Sequence, residues 1–376
     1  TPAGAVVRMK HAEPEITHHF QTFVDSNAIE LRWDNEYLFI ESNGMPRHEM
    51  MVGITAWQQQ IPIPQNYTGD NAWRIPLKPV PADKPMSTKT GFFRGAIAIA
   101  VNGIPIFNPI KNNGKTDTKL AGELDEFGGH CGRADDYHYH LPPLHLEKFV
   151  GSGKPIAFAL DGYPILGLQS TTEASQSKLD WLNGHKDENG NYHYHSTLTY
   201  PYLNGGFYGE VIERDGQVAP QPRAKGIRPA LQGLRGAEIT GFRKSNDGKS
   251  VSVKYTLRNE MRSVSYKTDD FTNYEFLFDN GQQGKSTETY SVRSNNRGER
   301  VQGNQANRKP QQEGQRGNKP NRREKERRGG GDKRGMAESR NGKQDRGQLS
   351  PQTNDGPKQP WIIVHADEID LNNDKI

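Results

Sequence analysis

The chain holds a single cysteine, Cys131, among 376 residues, so no disulfide can close within it and burial, hydrogen bonding or metal must hold the fold. No apolar run approaches the roughly eighteen residues that a membrane-spanning helix needs, and none resembles the apolar stretch of a signal peptide. A helical integral membrane protein is therefore not expected. The chain opens at Thr1 rather than Met, which fits a secreted form whose signal peptide has been removed, or a trimmed chain. Hydrophobic residues amount to only 32% and mean hydropathy is −0.91, although the 25% of charged residues is ordinary. A core diluted by locally polar sequence accounts for both. The Gly-x-Ser-x-Gly elbow, the His-Glu-x-x-His helix, the P-loop and the dinucleotide fingerprint are missing, which removes the usual sequence support for hydrolase and nucleotide chemistry.

Aromatic residues vanish between Ser294 and Lys358, where 17 Lys+Arg and 8 Asp+Glu leave +9, against −5 for the rest of a chain whose total is +4. Such a stretch cannot bury a core and reads as a disordered basic insert at 294–358. Its interleaved signs, and the lack of any ring for a base to stack on, favour a solvated linker over specific nucleic-acid binding; attachment to an anionic polymer is the functional alternative. The apolar run PWIIVHADEI at 360–369 reads as a returning strand. The terminal DLNNDKI offers Asp370, Asn372 and Asp374 at calcium-loop spacing, but Lys375 replaces the turn glycine, so tight calcium binding is not expected. Alternating patterns around the turn signals NDGK and DNGQ predict antiparallel hairpins before the insert.

The strongest signal is an internal duplication. LDEFGGHCGRADDYHYH (124–140) and LDWLNGHKDENGNYHYH (179–195) align without a gap at an offset of 55, and IAIAVNGIPIF (97–107) matches IAFALDGYPIL (156–166). Each unit reads as a buried strand, a turn at Gly-x-Pro, a short helix (DTKLAGELDEF or TTEASQSKLDWL), a Gly-His turn and a strand carrying YHYH. Gly128 and Asn183 stand where a left-handed residue would end that helix. In an extended strand His138 and His140 share one face while Tyr137 and Tyr139 take the other, and likewise His193 and His195 against Tyr192 and Tyr194. Folding back from the Gly-His turn, His130 or His185 supplies a third imidazole, and three nitrogen ligands with an open position suit copper, zinc or non-haem iron. Asp125 and Asp180 are expected to accept the other N–H of that third histidine. Asp161 joins them as a carboxylate to orient ligands or move protons, and His48 in SNGMPRHEM is an accessory candidate. Cys131 falls opposite Lys186 in the repeat and so lies outside the design.

At GHCGRADDYHYH, ALDGYPILG and GHKDENGNYHYHSTLTYPYLNGGFYG the chain resembles the YHYH-domain family, a group of mostly secreted or envelope proteins. The likeness runs from about Glu36 through Val211 and takes in SNGMPRH and AIAVNGIPIFN. Relatives often carry cysteines where Phe127, Leu182 and Gly206 stand here, so a disulfide of theirs is not expected in this chain. The resemblance implies a common fold and a secreted, periplasmic or cell-envelope setting.

The expected fold is mainly β with short helices: an N-terminal segment (1–35), a duplicated histidine-rich β domain (36–215), a linker (216–235) and a small antiparallel β domain (236–376) interrupted by the basic insert. The leading functional expectation is a transition-metal-binding protein with two His-x7-His-x-His clusters. Copper is preferred to zinc because all-imidazole sites beside tyrosines suit redox chemistry, and the activity would then be that of a copper-dependent oxidoreductase. The alternatives are an extracellular attachment module with structural YHYH strands, and a zinc-dependent hydrolase.

Overall fold

A computed structural model describes residues 12–169 and 178–292. The basic insert, the strand expected at 360–369, the terminal DLNNDKI and most of the helix expected at 171–182 lie outside these residues. The described chain is mainly β, with two α-helices of one turn, α1 (Gln21–Asp25) and α2 (Glu147–Val150), and belongs to one compact unit.

Strands β1 (Ile29–Trp33), β2 (Tyr37–Ser42) and β3 (Trp73–Pro76) form an antiparallel sheet. After β4 (Pro81–Ser87) comes the first copy of the repeat: β5 (Ala96–Ala100), β6 (Pro105–Phe107), β7 (Gly129–Cys131) and β8 (Tyr137–Tyr139). The second copy is β9 (Pro155–Ala159), β10 (Pro164–Leu168), β11 (Gly184–Lys186) and β12 (Tyr192–Ser196). All eight join one sheet in the order β11-β12-β10-β9-β5-β6-β8-β7. Strands β5 and β9 are buried at every position, as their unbroken apolar runs require of central strands. They pair antiparallel with Ile99 opposite Phe158, Ala98 opposite Ala159 and Ala100 opposite Ala157. Ile99 and Phe158 are equivalent in the repeat, so a pseudo-twofold axis normal to the sheet passes between them.

Following the copies come β13 (Gly206–Gly209), which pairs with β4, and the hairpin β14 (Glu213–Arg214) and β15 (Gln217–Val218). A five-stranded antiparallel meander closes the described chain: β16 (Ala237–Lys244), β17 (Ser250–Leu257), β18 (Glu260–Thr268), β19 (Asn273–Asp279) and β20 (Lys285–Ser291). Its hairpins turn at NDGK and DNGQ as the sequence predicts, with Gly248 and Gly281 at positive φ. The meander shares a core with the rest: Trp57 packs edge-on to Tyr255, and Gly53 and Ile239 donate backbone hydrogen bonds to Ile239 and Ile54. Segment 216–235 is fastened along its length, with the N–H groups of Arg223, Lys225 and Leu234 donating to Asn71, Gln65 and the Trp57 carbonyl. Gln221 hydrogen-bonds the backbone of Ala96 through both ends of its amide, and Arg228 forms a buried bidentate pair with Asp135 at 2.7 Å.

The helix expected over 117–127 does not form; the segment is a run of turns. The Asp117 carboxylate accepts the N–H groups of Lys119 and Leu120, and Asp125 accepts those of Phe127 and Gly129. Side chains that capture nearby backbone donors in this way compete with helix formation. Leu120 is 81% exposed, so there is no apolar face to favour a helix by burial. Gly128 and Asn183 do take the left-handed backbone, with φ of 79° and 70°, but as turn residues leading into β7 and β11.

Candidate metal centres

His130 and His185 lie on strands rather than on tight turns. Strand β7 pairs with β8 so that His130 stands directly opposite His138, and β11 pairs with β12 so that His185 stands opposite His193. Directly opposed residues of an antiparallel pair project to the same side, and residue i+2 shares that side. His140 and His195 therefore complete a triangle in each copy. Ring centroids are 4.8–5.0 Å apart in the first triad and 4.5–5.1 Å in the second, and each triad brings ligand nitrogens within 4.8 Å of one another.

Backbone carbonyls orient the rings. His140 Nδ1 donates to the Asn108 carbonyl at 2.6 Å, His138 Nδ1 to that of Asp136 at 3.0 Å, and His195 Nδ1 to that of Gly167 at 3.3 Å. Asn108 and Gly167 occupy the same place in the two copies, just after Phe107 in β6 and after Leu166 within β10. His130 and His193 have backbone partners at Glu123 and Asn191. The His185 Nδ1 is buried and has no hydrogen-bond partner among the described residues. Where a ring gives its Nδ1 proton to a carbonyl, its Nε2 lone pair faces inward: 3.1 Å separates Nε2 of His140 and His130 and Nε2 of His195 and His193, and Nε2 of His185 lies at the same distance from that of His195. Burial holds His130 and His140 well below the ordinary imidazole pKa, lowers His193, and pushes His195 down to about 4, so these rings are neutral at neutral pH. Phe107 stacks on His138 at 4.0 Å.

The two triads do not share a site. Strand register puts both on the sheet face that carries Ile99 and Phe158. Five strand-to-strand steps lie between β8 and β12, or about 24 Å at the usual spacing. Phe20, ahead of α1, stacks on Phe158 in the interval.

The tyrosines and carboxylates singled out from the sequence come together with one another on the opposite face, away from the imidazoles. Asp125 accepts hydrogen bonds from Tyr137 Oη and from the backbone N–H groups of Met51, Phe127 and Gly129, and none from His130. Asp180 holds Tyr192 Oη and the N–H groups of Leu182 and Gly184. Asp161 holds Tyr194 Oη and the Gly209 N–H. Burial pushes Asp125 and Asp161 up to about 6 against these donors, so both are mostly ionised at neutral pH. Tyr139 Oη takes hydrogen bonds from Asn102 and to His48 Nε2. His48 stacks on Phe127 at 3.9 Å, which places it on the tyrosine face as well. Cys131 is buried among Asp135, Asp136 and Asp125, and burial raises its thiol pKa well above the usual value.

The first triad lies at the wall of a cleft of about 340 Å³ that also includes Phe93, Arg94, Phe107, Lys111, Glu123 and Arg133. Phe107 ends β6 and Arg133 lies in the turn between β7 and β8, both within the matched blocks of the repeat, while Phe93, Arg94, Lys111 and Glu123 come from segments outside those blocks. In the second triad His185 and His193 are half-buried and Asp187 lies close to His193.

A pair of three-imidazole clusters on a duplicated β-sheet defines a histidine-cluster protein of internally repeated type. The family model described as YHYH protein matches residues 72–178, so the chain carries a YHYH domain there. That span includes the first triad with β9 and β10, and ends before β11 and β12. No curated protein and no solved structure matches the chain.

Proposed function

We propose that this protein binds one transition-metal ion at each of two separate sites, His130/His138/His140 and His185/His193/His195, in an extracytoplasmic setting. The observation that carries this reading is the inward convergence of Nε2 lone pairs 3.1 Å apart in both copies. In the pairs His130/His140 and His193/His195, where both rings are neutral and give their Nδ1 protons to carbonyls, the facing lone pairs repel across such a gap. A cation between them removes the repulsion, and nitrogens about 2.0–2.1 Å from one ion would be spaced this way at an angle of about 100°.

Three neutral nitrogen ligands leave an open coordination position, through which a bound ion supplies Lewis-acid or redox chemistry. Copper is the preferred ion, because divalent first-row affinity peaks there and imidazole suits it. The tyrosines no longer contribute to that preference, since their hydroxyls face away from both triads. Backbone carbonyls fix the tautomers and aim the rings, and at His138 the Asp136 carboxylate lies beside the same Nδ1 at 3.4 Å. No helix among the described residues is long and apolar enough to cross a membrane. The extracytoplasmic setting rests on the family likeness.

Elemental analysis and electron paramagnetic resonance of protein loaded with Cu(II) test the reading. Two equivalents with nitrogen hyperfine structure are expected, falling to one in His138→Ala/His140→Ala. Failure to take up copper or zinc, or two equivalents retained by that variant, would overturn it.

A further inference from the structure

The two triads are alike in their imidazoles and differ in the loops around them. Arg94 precedes β5, Lys111 follows β6, and Arg133 sits in the turn between β7 and β8, yet all three line the one cleft beside His130, His138 and His140. Glu123 is the acidic residue among them and is taken up by Lys111 at 2.6 Å. Arg94 and Arg133 are exposed and form no ion pair among the described residues. The repeat itself supplies the comparison. At the offsets that align the two copies, Arg94 falls on Gly153, Lys111 on Ser170 and Arg133 on Glu188, while Gly132 falls on Asp187. None of these three cations is kept at its own position in the second copy, where Asp187 lies close to His193; the second copy's own lysines, Lys154 and Lys186, stand instead where Gly95 and Cys131 line the first cleft.

Duplication began with equal copies, so this divergence distinguishes what each site admits. The walls of the first cleft also include Phe93, Phe107 and Ile110, all half-buried, so apolar surface remains open beside the unpaired guanidiniums. A volume of about 340 Å³ lies within the range of small-molecule sites. Guanidinium matches a carboxylate with two parallel hydrogen bonds, and cations lining a cleft concentrate anions within it.

We infer that the first cleft binds a small carboxylate with an apolar body, its acid group drawn between Arg94, Arg133 and the metal position of the first triad, and that the second triad admits no such ligand. This inference rests on the metal-binding reading. Selectivity then comes from the loops around the sheet, while the shared imidazoles provide the ion.

The test uses full-length protein loaded with Cu(II), with benzoate as probe, acetate as the comparator lacking an apolar body, and copper stoichiometry measured on every sample. His193→Ala/His195→Ala keeps only the first site, and its copper spectrum should shift on titration with benzoate, at lower concentration than with acetate. His138→Ala/His140→Ala keeps only the second site and should not respond. Arg94→Gln/Arg133→Gln alters only exposed side chains; it should keep two equivalents of copper and lose about tenfold or more in benzoate affinity at low salt, with a flatter salt dependence. Full copper with no benzoate response, an equal response from the second site, or unchanged affinity in the arginine variant overturns the inference and leaves the metal reading standing. Absence of copper overturns both.

Discussion

Each triad imidazole with a visible Nδ1 partner is aimed by a main-chain carbonyl, and the carboxylates that sequence spacing placed beside the histidines serve the tyrosines instead. Alternation along a strand forces this division: Asp125 and Asp180 approach from the tyrosine side, where Tyr137 and Tyr192 reach them. The same side holds His48, whose ring burial pushes down to about 4 from the usual 6.5. A histidine depressed in this way contributes stability above pH 6.5 that is lost as pH falls toward 4, because the unfolded chain takes up the proton first. Asp125 and Asp161, pushed up to about 6, act in the opposite sense: their contribution is present below the usual 3.8 and lost as pH rises through 6. The histidine term must therefore be read as a difference. Between pH 7 and pH 4, wild type is expected to lose about 2–3 kcal/mol more unfolding free energy than His48→Gln. Parallel pH profiles in urea melts of the two proteins would contradict this.

The hairpin is the element that makes a site. In both copies a glycine precedes the cross-strand histidine, and in both the tyrosine that opens YHYH lies across that glycine. A Cβ at Gly184 would stand 2.6 Å from the His193 carbonyl oxygen and closer still to the Tyr192 hydroxyl; at Gly129 the His138 carbonyl would be 2.9 Å away, with Tyr137 closer. Gly184→Ala is accordingly expected to open the pairing of β11 with β12, at a cost of about 1–3 kcal/mol, and to lower bound copper from two equivalents to one. Two equivalents at unchanged affinity would show that the hairpin does not set the ligand geometry. Elements were unequally legible in the sequence. Strands with period-two alternation or unbroken apolar runs, such as β5, β9 and those of the meander, were readable because burial imposes the pattern. The end signals that predict a helix over 117–127 do not register that Asp117 and Asp125 capture neighbouring N–H groups into turns. The third histidine lies beside the other two but on a strand rather than the expected turn, since three-residue strands such as β7 leave too short a pattern to read.

At the scale of the whole molecule the pseudo-twofold axis at Ile99 and Phe158 sets the two copies side by side and sends their hairpins to opposite ends of the sheet. Sites about 24 Å apart, without a shared ligand, should load independently. Copper is expected to raise the melting temperature of each single-site variant, and the two stabilisation free energies should sum to that of wild type within about 0.5 kcal/mol. A variant in one triad that abolishes loading of the other would point to coupling through the sheet.

The amino-acid sequence by itself determined the duplication, the alternation that separates imidazoles from phenols, and the grouping of three histidines per copy, because each follows from local spacing along an extended backbone. Only the tertiary structure decided that the clusters stand apart, that Asn108 and Gly167 aim the rings, and that Arg94, Lys111 and Arg133 from separate loops line one cleft beside the first cluster. Those outcomes depend on the antiparallel pairing of β5 with β9 and the parallel pairing of β6 with β8 and β10 with β12, contacts between residues distant in sequence that no local spacing encodes.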